Sequence, residues 1–393
     1  MTLTRLMEKT QLCITVTSMA VMMYMYARGA FYISSIVLAI NTLIYYILYG
    51  KNRVILQSPI MKIFICLLFV FAISFCNYFY YDDRYMYGLF YGCSLTELFF
   101  YSISWFFATL FFFMYYIRND HNSIRYLAIL FLLLGIIYNI RVYNIQRLIL
   151  DVQKQYPGYY FVMMCVPLIF IDTYKWLKYF CLIAAFFASI YSFKRTGIII
   201  SSILFVVYFL YENSSSKRII VNSILIVLLL SFFGGRYLNN NDAYIRTMER
   251  MERISDDNGS GRLDNVKTTY KMIQSAPIEN KIIGNGFWSM AAIYKHNIDV
   301  EWLSFPYYFG IAGLFFYILF HFFLIKRTFW LYKRKSSLFI SSLLCYLLLL
   351  LFGFASELFS YMYLSVLFFV YIGVSEALII KLKKNEYFIS IPK

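Results

Sequence analysis

Two arginines, a histidine and a pair of glycines are the residues here whose types and settings suit chemistry. All of them lie in polar breaks between long apolar runs. Arg195 sits in the turn Phe193-Lys194-Arg195-Thr196-Gly197, where two cations stand together at the edge of an apolar stretch. Such a cation either marks the end of a helix by snorkelling or serves as a ligand for an anion, and Lys194 would already fill the first role. Arg262 follows the turn Asn258-Gly259-Ser260-Gly261 and opens a predicted helix. A guanidinium opposes the helix dipole there unless an anion is bound, and the two together make a phosphate cradle. The plainer alternative is a solvated loop arginine. His296, followed by Asn297, offers an imidazole able to take a proton from an alcohol, against the alternative of an inert loop histidine. Glu301 reads as a second carboxylate near His296 or as the polar end of a span.

Other polar features carry less. Gly284-Asn285-Gly286 lacks a following Lys-Ser/Thr, so it reads as a tight turn and not as a nucleotide loop. Asp82-Asp83 is either a solvated acidic pair or a holder for a divalent ion. The seven cysteines lie in or beside apolar runs with no C-x-x-C pair, which argues against a disulfide framework or zinc. No second histidine or cysteine stands at ligand spacing from His296, so no metal and no cofactor are expected.

The elements that must position these residues are membrane helices. The 393 residues are 61% hydrophobic and only 14% charged, with a mean hydropathy of +0.65. A soluble chain carries about a quarter charged residues. Apolar runs of roughly 15 to 23 residues recur, long enough to cross a hydrocarbon core of about 30 Å as helices. The run from Leu127 to Ile137 does not alternate as a barrel strand would. The fold class is therefore all-α, a polytopic membrane protein. Predicted spans cover 12–27, 31–49, 63–80, 95–117, 126–140, 159–173, 177–193, 197–211, 219–233, 304–325, 337–354 and 359–380. They divide the chain into 1–233 with nine spans, a polar loop over 234–303, and 304–393 with three spans and a tail. The first run after Arg5 and Lys9 lacks a clear small-x-small cleavage site and reads as a retained helix.

Charge sets the expected orientation. Lys51, Arg53 and Lys62, the group from Lys326 to Lys335, and Lys381, Lys383, Lys384 and Lys393 all fall on one set of ends. The opposite short loops are poorer in cations, which predicts cytoplasmic termini and an external long loop. The net charge of +16 then reads as topology signal and contact with anionic headgroups or phosphates, not as a nucleic-acid footprint. Within the loop, Arg246, Arg250 and Arg253 fall within about 60° on a helical wheel, opposite Tyr244, Met248 and Met251. That predicts an amphipathic helix on the headgroup layer. A second helix is predicted over 262–275, with Leu263, Val266, Tyr270 and Ile273 as its apolar face and Pro277 ending it.

Three stretches together resemble the Wzy-type O-antigen polymerase and O-antigen ligase superfamily. Ser192-Phe193-Lys194-Arg195-Thr196-Gly197 resembles its short arginine turn. Ser260-Gly261-Arg262, with Pro277 and Gly284-Asn285-Gly286, resembles the segment entering its periplasmic loop. Lys295-His296-Asn297, followed by Tyr307 to Leu314, resembles its closing His-Asn stretch. The chain departs from the family where Ile298-Asp299-Val300-Glu301 places two acids after the histidine segment.

The resemblance implies a GT-C-like, metal-independent membrane glycosyltransferase of the bacterial cytoplasmic membrane, using undecaprenyl-pyrophosphate-linked oligosaccharides as donor and acceptor. It implies Arg195, Arg262 and His296 as catalytic residues. Lys194, Arg246, Arg250, Arg253, Asn297, Glu301, Gly284 and Gly286 would contact substrate. Membrane lipids, a chain-length regulator and a flippase are the implied partners. Polymerase and ligase stay undivided by sequence, for O-antigen, lipopolysaccharide or capsule alike. A lipid-linked-oligosaccharide flippase is the alternative of a different class.

Overall fold

The computed structural model describes residues 3–24, 28–50, 58–76, 95–149, 158–171, 173–192, 195–212, 262–286, 289–290, 298, 300–355, 358–359 and 362–389. Among these the protein is all-helical, with no strand. The helices are α1 (Leu3–Tyr24), α2 (Arg28–Tyr49), α3 (Pro59–Cys76), α4 (Leu95–Arg118), α5 (Asn122–Ile149), α6 (Gly158–Ile169), α7 (Lys175–Tyr191) and α8 (Arg195–Glu212). After them come α9 (Arg262–Ser275), α10 (Ile278–Ile283), α11 (Glu301–Lys333), α12 (Phe339–Ala355) and α13 (Met362–Ile389). The expected span over 219–233 and the amphipathic helix over 242–254 lie outside the described residues, as does Asp82-Asp83.

Segments Tyr32–Tyr49, Asn122–Arg141 and Glu301–Lys333 are long and apolar enough to cross a membrane, and several shorter apolar helices accompany them. Their outer faces match that reading. Ile311, Phe315, Ile318, Phe322, Ile325, Phe329 and Tyr332 recur every three or four residues along α11, and each is at least 46% exposed. A soluble helix would be polar on its outer stripe. Here the outer stripe is apolar, compatible with a lipid environment.

The interior is held by aromatic packing and by short polar side chains that reach across helices. α4 and α13 lie along one another, with Trp105 against Phe369 at 4.7 Å between ring centroids. Thr109 donates to the Phe369 carbonyl at 3.1 Å. On α2, Asn41 donates to the carbonyl of Gln11 and to the hydroxyl of Thr15 on α1, both at 2.9 Å. Such bonds would suit a bundle in lipid, where apolar contact alone does not distinguish a neighbouring helix from a lipid tail.

Two elements differ from the expected pattern. α5 continues to Ile149, nine residues beyond the expected end of the span over 126–140. Val142, Ile145 and Leu148 keep helical spacing there, and no glycine or proline interrupts before Pro157. α11 is not one straight span. Gly310 has non-helical dihedrals (φ 63°, ψ −162°), and the chain doubles back at that point. Phe305 stacks on Tyr317 at 4.2 Å, and Trp302 packs on His321 at 4.7 Å. In a continuous helix, residues 12 and 19 apart would lie about 18 and 28 Å apart. Residues 301–309 therefore form a short limb folded against the long limb 311–333.

Candidate functional site

The hairpin of α11 is where the polar segment before it enters the helical bundle. Pro306 lies inside the short limb and brings no N–H, and the break at Gly310 ends the regular ladder of helical hydrogen bonds. The carbonyls near the break are met by a second segment. Asn285 donates its backbone N–H to the Tyr307 carbonyl at 2.9 Å, and Gly286 donates to Tyr308 at 3.2 Å. The Asn285 side chain adds a bond to the Tyr307 carbonyl at 3.1 Å, and is itself fixed by Asn280 at 2.8 Å. From the other side, Ser74 of α3 donates to the Tyr308 carbonyl at 3.1 Å. Irregular backbone among packed helices is tolerated where protein groups satisfy it, and here the turn at Asn285–Gly286 and α3 both do so.

This arrangement explains the glycine pair. Gly284 has φ 88° and Gly286 has φ 96°, values that L side chains rarely adopt. A Cβ on Gly284 would run into the Tyr308 carbonyl, and one on Gly310 into that of Ile282. The two breaks meet backbone to backbone. Gly284-Asn285-Gly286 is the expected tight turn, and its partner is the hairpin apex.

Glu301 begins the short limb and is fully buried. Tyr317 donates its hydroxyl to one carboxylate oxygen at 3.0 Å, and the Phe359 backbone N–H donates to the other at 2.7 Å. The carboxylate thus ties both limbs of the hairpin to the connection between α12 and α13.

Arg195 and Arg262 are the first residues of α8 and α9, so each stands at the positive end of a helix dipole. Their side chains fall outside what the structure describes, as do Lys194, Arg246, Arg250, Arg253, His296 and Asn297 in full. The predicted helix over 262–275 coincides with α9. Met272 and Ile273 of α9 pack against the hydrophobic core, and Thr269 is fully buried. The start of α8 is held just as closely. A Cβ on Gly197 would lie 2.6 Å from the Ser189 hydroxyl and 3.2 Å from the Tyr159 ring.

A chain of contacts then leads from the start of α8 to the hairpin. Tyr159 meets Tyr160 at 4.2 Å, and Tyr160 meets Phe352 at 5.5 Å. Beside Phe352, a Cβ on Gly353 would lie 3.1 Å from the Trp302 indole nitrogen. One end of the bundle thus gathers the start of α8 and the short limb.

Sequence reasoning passed over a second polar cluster. Arg327 and Glu376 form a buried ion pair at 2.9 Å, each side chain 6% exposed. The Arg327 guanidinium also donates to the hydroxyls of Ser375 at 3.1 Å and Ser342 at 3.3 Å. Ser58 donates to the second carboxylate oxygen. Arg327 reads in sequence as one of several flanking cations, yet its charge is spent on Glu376. The available signal was Glu376 itself, a lone acid inside an apolar run. Among the described residues, no group of three His, Cys, Asp or Glu side chains is placed to hold a metal ion. No protein-family profile matches the chain, and no curated protein matches it.

Proposed function

We propose that the chain is a membrane glycosyltransferase that polymerises polysaccharide repeat units carried on undecaprenyl pyrophosphate at the outer face of the cytoplasmic membrane. It would cross the membrane about twelve times, with both termini cytoplasmic and residues 234–303 outside. The observation that carries this reading is the pair of arginines opening α8 and α9, set within the three stretches that resemble the polymerase and ligase superfamily. A helix start and a guanidinium together attract a doubly charged leaving group.

In the reaction, an acceptor sugar hydroxyl attacks the anomeric carbon of the donor sugar. A glycosidic bond forms, the bond to pyrophosphate breaks, and lipid pyrophosphate departs with the electron pair. Arg195 and Arg262 would stabilise the charge growing on it, and Lys194, Arg246, Arg250 and Arg253 would hold lipid headgroups and the donor. His296, oriented beside Asn297, would receive the hydroxyl proton. His296 stands five positions before Glu301, which limits that histidine to within roughly 18 Å of the hairpin. Gly284, Gly286 and Glu301 act here by fixing the hairpin to which the loop is tethered. The test is extension of a lipid-linked oligosaccharide by purified protein, with Arg195→Ala, Arg262→Ala and His296→Ala as variants. Loss of about a hundredfold or more in rate is expected for each arginine. Full activity in all three variants would remove the site.

One observation favours transport of a lipid-linked sugar as a second reading. Glu301, His321, Arg327 and Glu376 are buried among the helices, and α11 is broken at Gly310. Buried ionisable groups and discontinuous helices are features of transporters. Scrambling of a fluorescent lipid-linked sugar across vesicles without glycan growth would select that reading.

A further inference from the structure

The short helix α10 shows a surface at odds with its place in a polar segment. None of its six residues is buried, yet Ile278, Ile282 and Ile283 are each at least 42% exposed. α9 before it presents Tyr270, also exposed, in the row Lys267, Tyr270, Lys271 and Gln274. That spacing of three and four residues puts all four on one face. The opposite face packs inward through Thr269, Met272 and Ile273. α10 is nevertheless held in place. Asn280 bonds to Asn285 at 2.8 Å, and a Cβ on Gly310 would lie 2.3 Å from the Ile282 carbonyl oxygen. Ile311, the residue after Gly310, begins the exposed apolar stripe of α11. The exposed isoleucine at 282 thus stands beside the start of that stripe, on abutting backbone.

Single exposed apolar side chains are ordinary, but a cluster of them on a helix that buries nothing marks a surface that something covers. Two observations name the cover. The first is continuity. α11 is long and apolar enough to cross a membrane, and lipid that covers its outer stripe reaches α10 where the stripe ends. The second is charge. Exposed Lys267 and Lys271 flank Tyr270, and Lys281 precedes Ile282, so three lysines outnumber the acids Asp264 and Glu279 of these two helices. Lysine is depleted at protein–protein interfaces. Isoleucine and tyrosine edged by lysine suit instead the layer where acyl chains meet phosphates. Apolar tips sink into it, lysine stems lie along them, and the ammonium groups reach phosphate oxygens.

We infer that α9 and α10 form a docking surface for an anionic lipid bilayer, with Ile278, Ile282 and Ile283 at the acyl boundary and Lys267, Lys271 and Lys281 on lipid phosphates. The docking face runs along α9, so the helix lies flat on the headgroups. Its first residue, Arg262, then stands at phosphate depth, where the pyrophosphate of a lipid-linked donor also lies. That last consequence rests on the polymerase reading; the docking does not.

The test uses full-length protein in nanodiscs of equal phosphatidylcholine and phosphatidylglycerol. Photoreactive benzoyl-phenylalanine replaces Ile278, Ile282, Tyr270 or, as a control, the exposed Phe322 of the α11 stripe. After irradiation, mass spectrometry counts phospholipid adducts at each position. Adducts at Ile278 and Ile282 are expected to approach the yield at Phe322. At position 270, phosphatidylglycerol should be captured about fivefold over phosphatidylcholine, the preference that one lysine near an anionic surface supplies. Lys267→Gln, Lys271→Gln and Lys281→Gln together should return the two lipids to equal shares, with size-exclusion profiles confirming the fold. Lipid adducts at Phe322 with none at Ile278 or Ile282 overturn the inference, as does capture of a second copy of the chain in place of lipid. Equal capture of the two lipids at position 270 with all three lysines present overturns it as well. Lipid adducts in a protein that extends no glycan keep the docking surface and lose the polymerase reading, and glycan extension without such adducts does the reverse.

Discussion

At Glu301, a side chain that begins a helix is turned inward and does the work of a brace. An acid in the first turn suits the helix dipole, but the two donors it accepts from, Tyr317 and Phe359, define its role. Removing it leaves two buried donors unsatisfied, at about 1–3 kcal/mol each. Glu301→Leu should therefore lower the thermal midpoint in lipid more than Glu301→Gln, which retains one acceptor oxygen; equal midpoints would show that the brace carries no load. The Arg327–Glu376 pair makes a related prediction. Glu376→Leu alone strands a buried guanidinium and should cost about 3–5 kcal/mol, whereas Arg327→Met with Glu376→Leu should recover most of that loss. A double-mutant cycle on unfolding measures the coupling. In sequence, Glu301 was visible as a candidate because it follows His296 closely. Its partners were not, since Tyr317 is sixteen residues away and Phe359 contributes only a backbone N–H.

At the scale of elements, the apposition of the Gly284 turn and the α11 apex is the feature most open to test. Gly284→Ala and Gly310→Ala each place a Cβ into a carbonyl at a positive φ. Both should reduce the yield of folded protein sharply. Gly135→Ala, whose Cβ would lie 3.3 Å from a Val162 methyl, should leave it nearly unchanged. Size-exclusion profiles after extraction decide between these outcomes. The extent of α9 was legible from its turn and Pro277, because those signals are local, but its buried face was not: Tyr270, expected on the apolar face, is 54% exposed, while Thr269 is fully buried. The hairpin was not. Pro306 and Gly310 are breaker signals, but they lie in an unbroken apolar run that reads as one span. The Gly310 dihedrals and the contacts of Phe305 with Tyr317, Trp302 with His321 and Glu301 with Tyr317 reveal the reversal.

For the whole molecule, the apolar runs made the helical class legible, because backbone in lipid must close its own hydrogen bonds. The assignment of buried against outward-facing residues was less so, since both are apolar and hydropathy does not separate them. The exposed stripe on α11 and the buried aromatic core around Trp105 are distinguished only by packing. The proposed orientation predicts that a cysteine introduced at Ser260 reacts with a membrane-impermeant thiol reagent in intact cells, and that one at Lys384 reacts only after permeabilisation. The opposite pattern would place the arginine-rich loop in the cytoplasm, away from an externally presented donor.

The most direct test of the central claim is the extension assay itself. Purified protein in lipid is given an undecaprenyl-pyrophosphate oligosaccharide with a metal chelator present, and glycan length and released lipid pyrophosphate are followed together. The account predicts that glycan grows in step with lipid pyrophosphate release, and that Arg262→Ala lowers both rates by about a hundredfold while remaining folded. Substrate that crosses the vesicle membrane unextended, or growth unaffected by Arg262→Ala, would contradict it.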